Sequence, residues 1–529
     1  MKLFFTCGVI LLLLLSGCRK EFTRPSWEVD MTGPVIHSSL GIGDLIPDSL
    51  LQVNPDSSVT LVFDETIYRL ALDSIVNLPD TTMGDTFKLP TFVPSVNVAP
   101  NQVIFSQTEE QHFGAGDVEL TEAILRRGEL IVQLYSTIDE PVQIEYQITT
   151  ADLGGSIFSV IVEIPAGSVA NPALVDTVFD MSNYHMNLRG SSGTSYNAFG
   201  TNLIVRLSPN ASNTQVHNYD EIRVLTSFSD LSPKYVKGYF GSRVENIPSE
   251  SASFSLFEKI TGGTLDIDQV NVSMVLRNYI GADARITLNQ VEASNSISAT
   301  ALDLTNTIIG TAVNINRAID NWSNVSPGIY TIQLNEGNSN IDQILELFPD
   351  IFNVDMSMEI NPLGNVSAHN DFMYDDQTFE ADLNITMPLS FIANNLSLAD
   401  TIDIDIQEGE NGRLTQGSFF VDVSNGFPLG GTLQLYFFDG LGNLTDSIVS
   451  TGTIPSAQVN ASQIVTNASS STLRFDIHEN QMNRLYAGDR MVLKVVFNTS
   501  SLSQHVTIYD HYRIDLRIWG DFSYLIGHP

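Results

Sequence analysis

The segment Glu129-Leu130-Ile131-Val132-Gln133-Leu134 decides the fold class, because apolar and polar side chains alternate along it. Leu130, Val132 and Leu134 share one side of an extended chain, and Glu129 and Gln133 share the other. A period of two is typical of half-buried antiparallel strands. The alternation recurs at residues 58–63, 142–146, 270–275 and 432–437, with glycine turns such as 154–155, 262–263 and 430–431 between strands. We therefore expect a mainly β protein built from tandem antiparallel β-sandwich-like modules.

Helical periodicity is limited to two short central segments. Residues 339–348 place four apolar side chains on one helical face, and Pro349 ends the pattern. Residues 311–322 form a second candidate with apolar residues at similar spacing. The sequence thus predicts a few short helices in the central region.

Two stretches of the chain carry the same landmarks in the same order. Each runs from a strand through a proline, a glycine turn and an Ile-Pro pair to a Tyr-Asp-x-x-Arg segment. The two Tyr-Asp-x-x-Arg segments start at Tyr219 and Tyr509, which are 290 residues apart. The shared order and the nearly constant offset predict a duplicated β module at 116–235 and 411–529.

The repeated segment supplies six residues of unknown role: Tyr219, Asp220, Arg223, Tyr509, Asp510 and Arg513. The spacing permits a local ion pair between the Asp and the Arg of each copy, at a strand edge or turn. Such a pair contributes only ~0–1 kcal/mol to stability where it is exposed. A ligand site at this position is the alternative.

These patterns divide the chain into five regions. We expect a signal peptide at 1–17, a tether and N-terminal β region at 18–115, the first module copy at 116–235, a central β region with short helices at 236–410, and the second copy at 411–529.

The composition limits the class of partner. The chain has 529 residues, with 25 Lys and Arg against 61 Asp and Glu, and a formal net charge of −36. Phosphate binding requires Lys and Arg, so nucleic acid is not an expected partner. Hydrophobic residues make up 43% of the chain, which is typical of a folded protein rather than a disordered acidic one.

The N-terminus has the parts of a secretory signal. Lys2 precedes a mostly apolar run at 3–15, which leads through small residues to Cys18. The sequence Leu15-Ser16-Gly17-Cys18 resembles a bacterial lipobox, and this resemblance implies cleavage before Cys18 and acylation of its thiol. The other cysteine, Cys7, lies inside the signal, so we expect no internal disulfide in the mature chain.

The residues after Cys18 resemble outer-membrane lipoproteins of the Bacteroidota. Arg19-Lys20-Glu21 is similar to the charged export tag that follows the lipid-bearing cysteine in surface lipoproteins of that phylum. Residues 27–45, with Trp27, Pro34 and a Gly-Ile-Gly-Asp-Leu run, are similar to the mature start of many of these proteins. The resemblance implies a lipid-anchored protein that faces either the periplasm or the cell surface, and it carries no known activity.

Signatures of catalysis are missing from the sequence. There is no Gly-x-Ser-x-Gly turn, no His-x-x-x-His pair and no phosphate-binding glycine loop, and the nine histidines are scattered. Asp403, Asp405 and Glu408 form a weak Ca²⁺ candidate, but they lack the spacing and the glycine of an EF-hand. We expect no catalytic residue, no cofactor and no further metal ligand.

Together these observations predict a non-catalytic, lipid-anchored protein of the outer membrane or cell surface that acts as a binding or assembly component. It would contact the membrane through acyl chains on Cys18, and its partner would be another outer-membrane protein or a glycan. One alternative is a carrier of lipid or another hydrophobic ligand, by analogy with the two-module boomerang of tubular lipid-binding proteins. A second alternative is a glycan-binding accessory protein or a secreted hydrolase.

Overall fold

The computed structural model describes residues 26–72, 75–76, 78–253, 257, 260–321, 324–402, 409, 412–487 and 490–527. Antiparallel strands dominate this part of the chain, which confirms the predicted mainly β, sandwich-like fold. Its helices are short: α1 (Ile42–Leu45), α2 (Ile341–Glu346) and α3 (Glu479–Tyr486).

The strands in the first half of the chain are β1 (Trp27–Leu40), β2 (Leu51–Val53), β3 (Val59–Arg69), β4 (Thr81–Phe87), β5 (Ser95–Val98), β6 (Val103–His112), β7 (Glu119–Ser136), β8 (Val142–Leu153), β9 (Ser156–Ile164), β10 (Ala173–Asp180), β11 (His185–Asn187), β12 (Ala198–Leu207), β13 (Thr214–His217), β14 (Ile222–Tyr239), β15 (Arg243–Ser253) and β16 (Ile260–Ile267).

The strands in the second half are β17 (Asn271–Asn278), β18 (Ala284–Asn295), β19 (Thr300–Asp303), β20 (Ala312–Ile315), β21 (Ile319–Asp320), β22 (Val325–Ser326), β23 (Gly328–Asn335), β24 (Ile351–Ile360), β25 (Asp371–Tyr374), β26 (Phe379–Pro388), β27 (Ser390–Ile402), β28 (Gly412–Asn425), β29 (Leu429–Phe438), β30 (Leu444–Val449), β31 (Gln458–Val459), β32 (Val465–Asn467), β33 (Ser469–Ile477), β34 (Arg490–Thr499), β35 (Val506–Thr507) and β36 (Ile514–Ile526).

The chain divides into two compact units. The terminal unit contains the described residues of 1–62, 255–270 and 387–529, and the central unit contains those of 63–254 and 271–386. The boundaries between the units fall within β3, after Val62, and within β26, after Thr386.

The terminal unit contains a β-sandwich, here called the terminal sandwich. One of its sheets has the order β1-β36-β28-β33, and the other has the order β16-β27-β34-β29-β30. Both sheets and α3 contribute to one apolar core, in which Phe437, Leu473 and Met482 are fully buried. Helix α3 begins after His478, whose backbone N–H donates to Gln481 Oε1 at 2.8 Å. This capped start fixes the helix so that Met482 and Leu485 reach the core.

The central unit contains a second sandwich, here called the central sandwich. Strands β4-β14-β7-β10 form one side and β9-β8-β12-β6 form the other, and β11 pairs with both β7 and β8. Aromatic rings meet across the core, with centroids 5.2 Å apart for Phe199 and Phe228 and 5.6 Å apart for Phe87 and Phe105. A further sheet of this unit has the order β15-β24-β18-β19.

The two sandwiches share their strand pairings. Strand β7 pairs with β14 and β10, as β28 pairs with β36 and β33. Strand β8 pairs with β9 and β12, as β29 pairs with β30 and β34. The outer strands correspond as well. In the central sandwich, β4 pairs with β14 and β6 pairs with β12. In the terminal sandwich, β1 pairs with β36 and β27 pairs with β34. The predicted duplication of 116–235 and 411–529 is a statement about ancestry and stays a prediction. The strands of the two stretches nevertheless pair in the same order.

The compact units do not follow the predicted regions. Residues 18–115 supply β1 to the terminal sandwich and β4 and β6 to the central sandwich. Residues 236–410 are divided in the same way, because β16 and β27 belong to the terminal unit. Pairing between strands remote in sequence therefore sets the units.

One of the two predicted helices forms. Residues 339–348 contain α2, whose Ile344 and Leu345 are buried as expected. The helix predicted over 311–322 is wrong, because this segment contains β20, which pairs with β18, and β21. Val313 and Ile315 are β-branched, and Ile315 is buried between exposed neighbours, so the local pattern also suits a strand. Among the described residues, α2 lies within 236–410, whereas α1 and α3 lie before and after this region.

Candidate binding face

The sheet β1-β36-β28-β33 of the terminal sandwich has one side in the core and one side away from it. We call the second side the outer face. Alternation along each strand and the registers between strands place sixteen residues there in four cross-strand rows. The rows are Ser39, Asp515, Ser424 and Ser470; His37, Arg517, Asp422 and Thr472; Pro34, Trp519, Phe420 and Arg474; and Thr32, Asp521, Ser418 and Asp476.

An aromatic pair lies at the middle of the outer face. The rings of Trp519 and Phe420 stack with centroids 4.0 Å apart and planes inclined by 9°. The Arg474 guanidinium lies 5.6 Å from the Phe420 centroid. Both rings are partly exposed, so the centre of this polar surface is apolar.

Asp422 holds the aromatic pair in place. Its Oδ2 accepts a hydrogen bond from Trp519 Nε1 at 3.1 Å, and its Oδ1 accepts one from the Thr472 hydroxyl at 2.7 Å. With both oxygens engaged, the carboxylate fixes the indole in one orientation. The face therefore presents a preorganised ring rather than a mobile one.

The row below the rings is also fixed by hydrogen bonds. Ser418 donates to Asp476 Oδ1 at 2.7 Å, and Arg474 Nε donates to the same oxygen at 2.7 Å. The Ser418 hydroxyl first, and Arg474 after it, hold the pKa of Asp476 below its usual range. Thr32 donates to Asp521 Oδ1 at 3.0 Å.

A shallow groove of about 500 Å³ crosses all four strands beside the aromatic pair. Its lining consists of His37, Asp422, Val423, Ser424, Ser470, Ser471, Thr472, Asp515, Leu516 and Arg517. Within the part of the chain that the structure describes, His37, Asp515 and Arg517 have no hydrogen-bond or ion-pair partner for their side chains. The groove therefore offers donors and an acceptor that are free to bind a ligand.

The corresponding sheet of the central sandwich presents a different surface. The Arg223 guanidinium lies 4.7 Å from the centroid of the Tyr135 ring. Leu174, Val178 and Leu225 are exposed around this pair. The outer face of the terminal sandwich is thus polar around an aromatic centre, whereas its counterpart has exposed aliphatic side chains among polar ones.

The central sandwich also encloses a small polar cavity. Its volume is about 10 Å³, roughly enough for one water, and it is lined by Asp85, Gln107, Glu109, Gln111, Tyr146, Thr201, Leu203, Val224 and Thr226. Burial and then the charge of Glu109 raise the pKa of Asp85. Burial also raises the pKa of Tyr146 to about 12. The cavity is too small for a sugar, so we treat these groups as part of the core.

The repeat-motif residues of the first copy do not form the predicted pair. Asp220 Oδ2 accepts a hydrogen bond from the His217 backbone N–H at 2.7 Å and lies 3.5 Å from the His217 ring. Arg223 forms its ion pair with Glu221 instead. Tyr219 is exposed and stacks on His217, with centroids 4.7 Å apart. The segment is therefore a turn held by Asp220.

The second copy differs from its predicted pairing as well. Arg513 donates to the backbone carbonyls of Asp510 and Tyr512, rather than to the Asp510 carboxylate. The Tyr509 ring lies 5.4 Å from the Tyr512 ring. The buried Tyr512 hydroxyl accepts a hydrogen bond from Val465 N at 3.0 Å. Both copies thus use this segment as a turn, with different side-chain contacts.

The lipobox Leu15-Ser16-Gly17-Cys18 and the calcium candidate Asp403, Asp405 and Glu408 lie outside the described residues. Among the residues that are described, no group of three or more His, Cys, Asp or Glu side chains could hold a metal ion. No helix in that part of the chain is long and apolar enough to cross a membrane.

The outer face was not predicted from the sequence, although the sequence carries a signal for it. Alternation over 418–424 places Phe420 and Asp422 on the side of the strand opposite Val421 and Val423. The same alternation over 515–521 places Trp519 with charged neighbours. The alternation along one strand does not show which strands lie side by side.

Comparisons with known proteins add little. No family model and no curated protein matches the chain. A solved structure from Parabacteroides distasonis, described as a secreted protein, is 12% identical, with a TM-score of 0.24 over 52% of this chain and 82% of that chain. The VP2 subviral particle of infectious bursal disease virus is 9% identical, with a TM-score of 0.10 over 91% of this chain and 85% of that chain. Similarities this weak carry no argument about function.

Proposed function

We propose that the chain is a non-catalytic, lipid-anchored glycan-binding protein of the outer membrane or cell surface, and that the outer face binds the glycan. The observation that carries this proposal is the groove beside the Trp519–Phe420 pair, where His37, Asp515 and Arg517 have no partner among the described residues. The anchor is supported by the lipobox that ends at Cys18.

The chemistry of the face suits a sugar. A pyranose ring presents C–H groups that pack on aromatic rings and hydroxyls that both donate and accept hydrogen bonds. The partly exposed rings of Trp519 and Phe420 would contact the C–H groups. Arg517 would donate to sugar oxygens, and Asp515 would accept from sugar hydroxyls. The serines and threonines along the groove supply further donors and acceptors.

The same face is a weaker match for a protein partner. The centre of a protein interface is depleted in charged residues and is enriched in aromatic ones. Here one aromatic pair is surrounded by Asp422, Arg474 and Arg517, and the row farthest from the rings along the groove consists of Asp515 and three serines. A ligand rich in hydroxyl groups satisfies these side chains better than an apolar protein surface would.

Affinity electrophoresis in gels that contain polysaccharides tests the proposal. The panel would be xylan, mannan, pectin, starch and mucin, and we expect at least one of them to retard the wild-type protein. Arg517→Ala removes a free donor without touching the aromatic pair, and we expect it to weaken retardation about tenfold, since a hydrogen bond to a charged group is worth ~1.5–3 kcal/mol.

The matched control is Tyr135→Ala, which removes an aromatic ring from the outer side of the central sandwich. It should leave retardation unchanged. No retardation by any polysaccharide would contradict the proposal, and so would equal loss in Arg517→Ala and Tyr135→Ala.

A further inference from the structure

The first half of β1 carries a row of exposed apolar side chains. Trp27, Val29 and Met31 are 53%, 41% and 55% exposed. They pair in register with Ile526, Tyr524 and Phe522 of β36 and therefore lie on the core side of the sheet. We call these three residues the apolar row.

The apolar row lies on an edge strand. Among the described residues, β1 pairs with β36 alone, so one of its two edges is open. Native proteins usually protect open edges and keep apolar side chains away from them. Exposed apolar groups at such an edge indicate a surface that another partner covers.

The tether defines how far this row can lie from the anchored lipid. Trp27 follows Cys18 by nine residues. A fully extended chain spans at most ~3.3–3.6 Å per residue, so the row lies no more than about 32 Å from the acylated thiol. The tether therefore keeps the row close to the membrane surface.

We propose that the apolar row inserts into the headgroup region of the bilayer that holds the acyl chains of Cys18. This inference rests on the proposed anchoring and adds a second, non-covalent membrane contact. Tryptophan favours the membrane–water interface, where its ring is apolar and its N–H stays hydrated. The bilayer surface must be largely zwitterionic, because Glu28, Asp30 and the net charge of −36 are repelled by anionic lipid.

A second copy of the chain is a poorer occupant of the same edge. Two β1 strands paired edge to edge would bring Glu28 and Asp30 of one copy close to the same carboxylates of the other. Like charges on neighbouring strands destabilise a sheet. A lipid surface covers the row without this repulsion.

The contact has a consequence for ligand binding. The apolar row lies on the core side of the sheet, whereas Thr32, Pro34 and His37 of the same strand lie on the outer face. When the row meets the bilayer, the outer face therefore points away from it. The two surfaces can act together, one on the lipid and one on the glycan.

Depth-dependent fluorescence quenching tests the inference on the full-length acylated protein. The chain has three tryptophans, so Trp322→Phe with Trp519→Phe leaves Trp27 as the only reporter. The protein is incorporated into phosphatidylcholine–phosphatidylethanolamine vesicles with and without brominated acyl chains. We expect brominated lipid to quench Trp27 at least twofold.

The matched reporter carries Trp27→Phe with Trp322→Phe, which leaves Trp519 on the outer face, and we expect little quenching of it. Equal quenching of the two reporters in protein that floats with the vesicles would overturn the inference. Failure to float would overturn it together with the anchoring, and retardation of the wild-type protein by polysaccharide would then show whether glycan binding survives. Val29→Asp with Met31→Asp should abolish the quenching of Trp27, and unchanged quenching would also contradict the inference.

Discussion

Asp85 shows how the central sandwich responds to pH at the scale of one residue. Burial first, and the charge of Glu109 second, raise the pKa of Asp85. The folded state therefore favours the neutral acid, and the stability that this group contributes is lost as the pH rises through its folded-state pKa. We expect Asp85→Asn to raise the melting temperature at pH 7 and to have little effect near pH 3.

The control for Asp85 is an aspartate whose pKa is shifted in the opposite direction. Asp180 is in the same unit, and hydrogen bonds from the Ser182 hydroxyl and backbone hold its pKa below its usual range. Asp180→Asn should lower the melting temperature at pH 7. Thermal melts of both variants between pH 3 and 8 check the pair, and destabilisation by Asp85→Asn at pH 7 would contradict the account.

His185 is a second residue whose charge affects stability. Burial lowers its pKa, but the hydrogen bond to Asp152 and the charge of Glu122 outweigh burial and raise it overall. Its ring nitrogens lie 3.1 Å from Asp152 and 3.0 Å from Glu122. The stabilisation is present below the usual His pKa and is lost as the pH rises through the folded-state value. Chemical unfolding should show that His185→Gln costs more stability at pH 5.5 than at pH 8.5, and an equal cost at both would contradict this.

The repeated segment shows where residue-level prediction stopped. The sequence indicates an ion pair between Asp220 and Arg223, but Arg223 pairs with Glu221. In an extended chain, residues two apart share a side and residues three apart do not. A local ion pair is therefore set by the backbone conformation, which the spacing of charges does not reveal.

At the scale of the element, the core of the terminal sandwich offers a comparison within one strand. Phe437 of β29 is fully buried in the core, whereas the next residue, Phe438, is partly exposed, with the Arg490 guanidinium 5.6 Å from its ring centroid. Phe437→Ala should lower the free energy of unfolding by ~3–5 kcal/mol, and Phe438→Ala by roughly 1 kcal/mol. Urea unfolding followed by Trp519 fluorescence, in a background that carries Trp27→Phe and Trp322→Phe, reports on this unit. Equal losses of stability in the two variants would contradict the assignment of Phe437 to the core and Phe438 to the surface.

Element type was predictable where the pattern had one interpretation. Alternation over 129–134 and 432–437 predicted β7 and β29, and the helical face within 339–348 predicted α2. Residues 311–322 fit both patterns, and pairing of β20 with β18 decided for a strand. Backbone hydrogen bonds to a remote neighbour are tertiary information, so sequence periodicity alone could not settle this segment.

At the scale of the whole molecule, the internal repeat predicted more than local patterns did. It located two stretches whose strand pairings prove equivalent. It did not predict that each sandwich is completed by strands from upstream, such as β1, which pairs with β36 at the other end of the chain. The candidate face was not predicted for the same reason. Its four rows join residues of β1 to residues of β36, which are remote in sequence.

The proposed anchor also belongs to the scale of the whole molecule. Cys18→Ala removes the thiol that the lipobox resemblance assigns to acylation. We expect this variant to move from the membrane fraction to the soluble fraction after cell lysis, because acyl chains contribute ~0.8 kcal/mol per buried CH₂ and the proposed contact of three side chains would not replace them. Cys7→Ala, within the expected signal, is the matched control and should remain membrane-bound. Retention of Cys18→Ala in washed membranes would contradict the anchoring.

Hydrogen–deuterium exchange, with and without the most strongly retarding polysaccharide, tests the central claim most directly. If the glycan binds the outer face, exchange becomes slower in peptides that cover 418–424 and 515–521, where this face lies. Peptides that cover 129–136 and 222–228, on the equivalent sheet of the central sandwich, should not change. Protection of the central peptides with no change at 418–424 and 515–521 would contradict the assignment of the glycan site to the terminal sandwich.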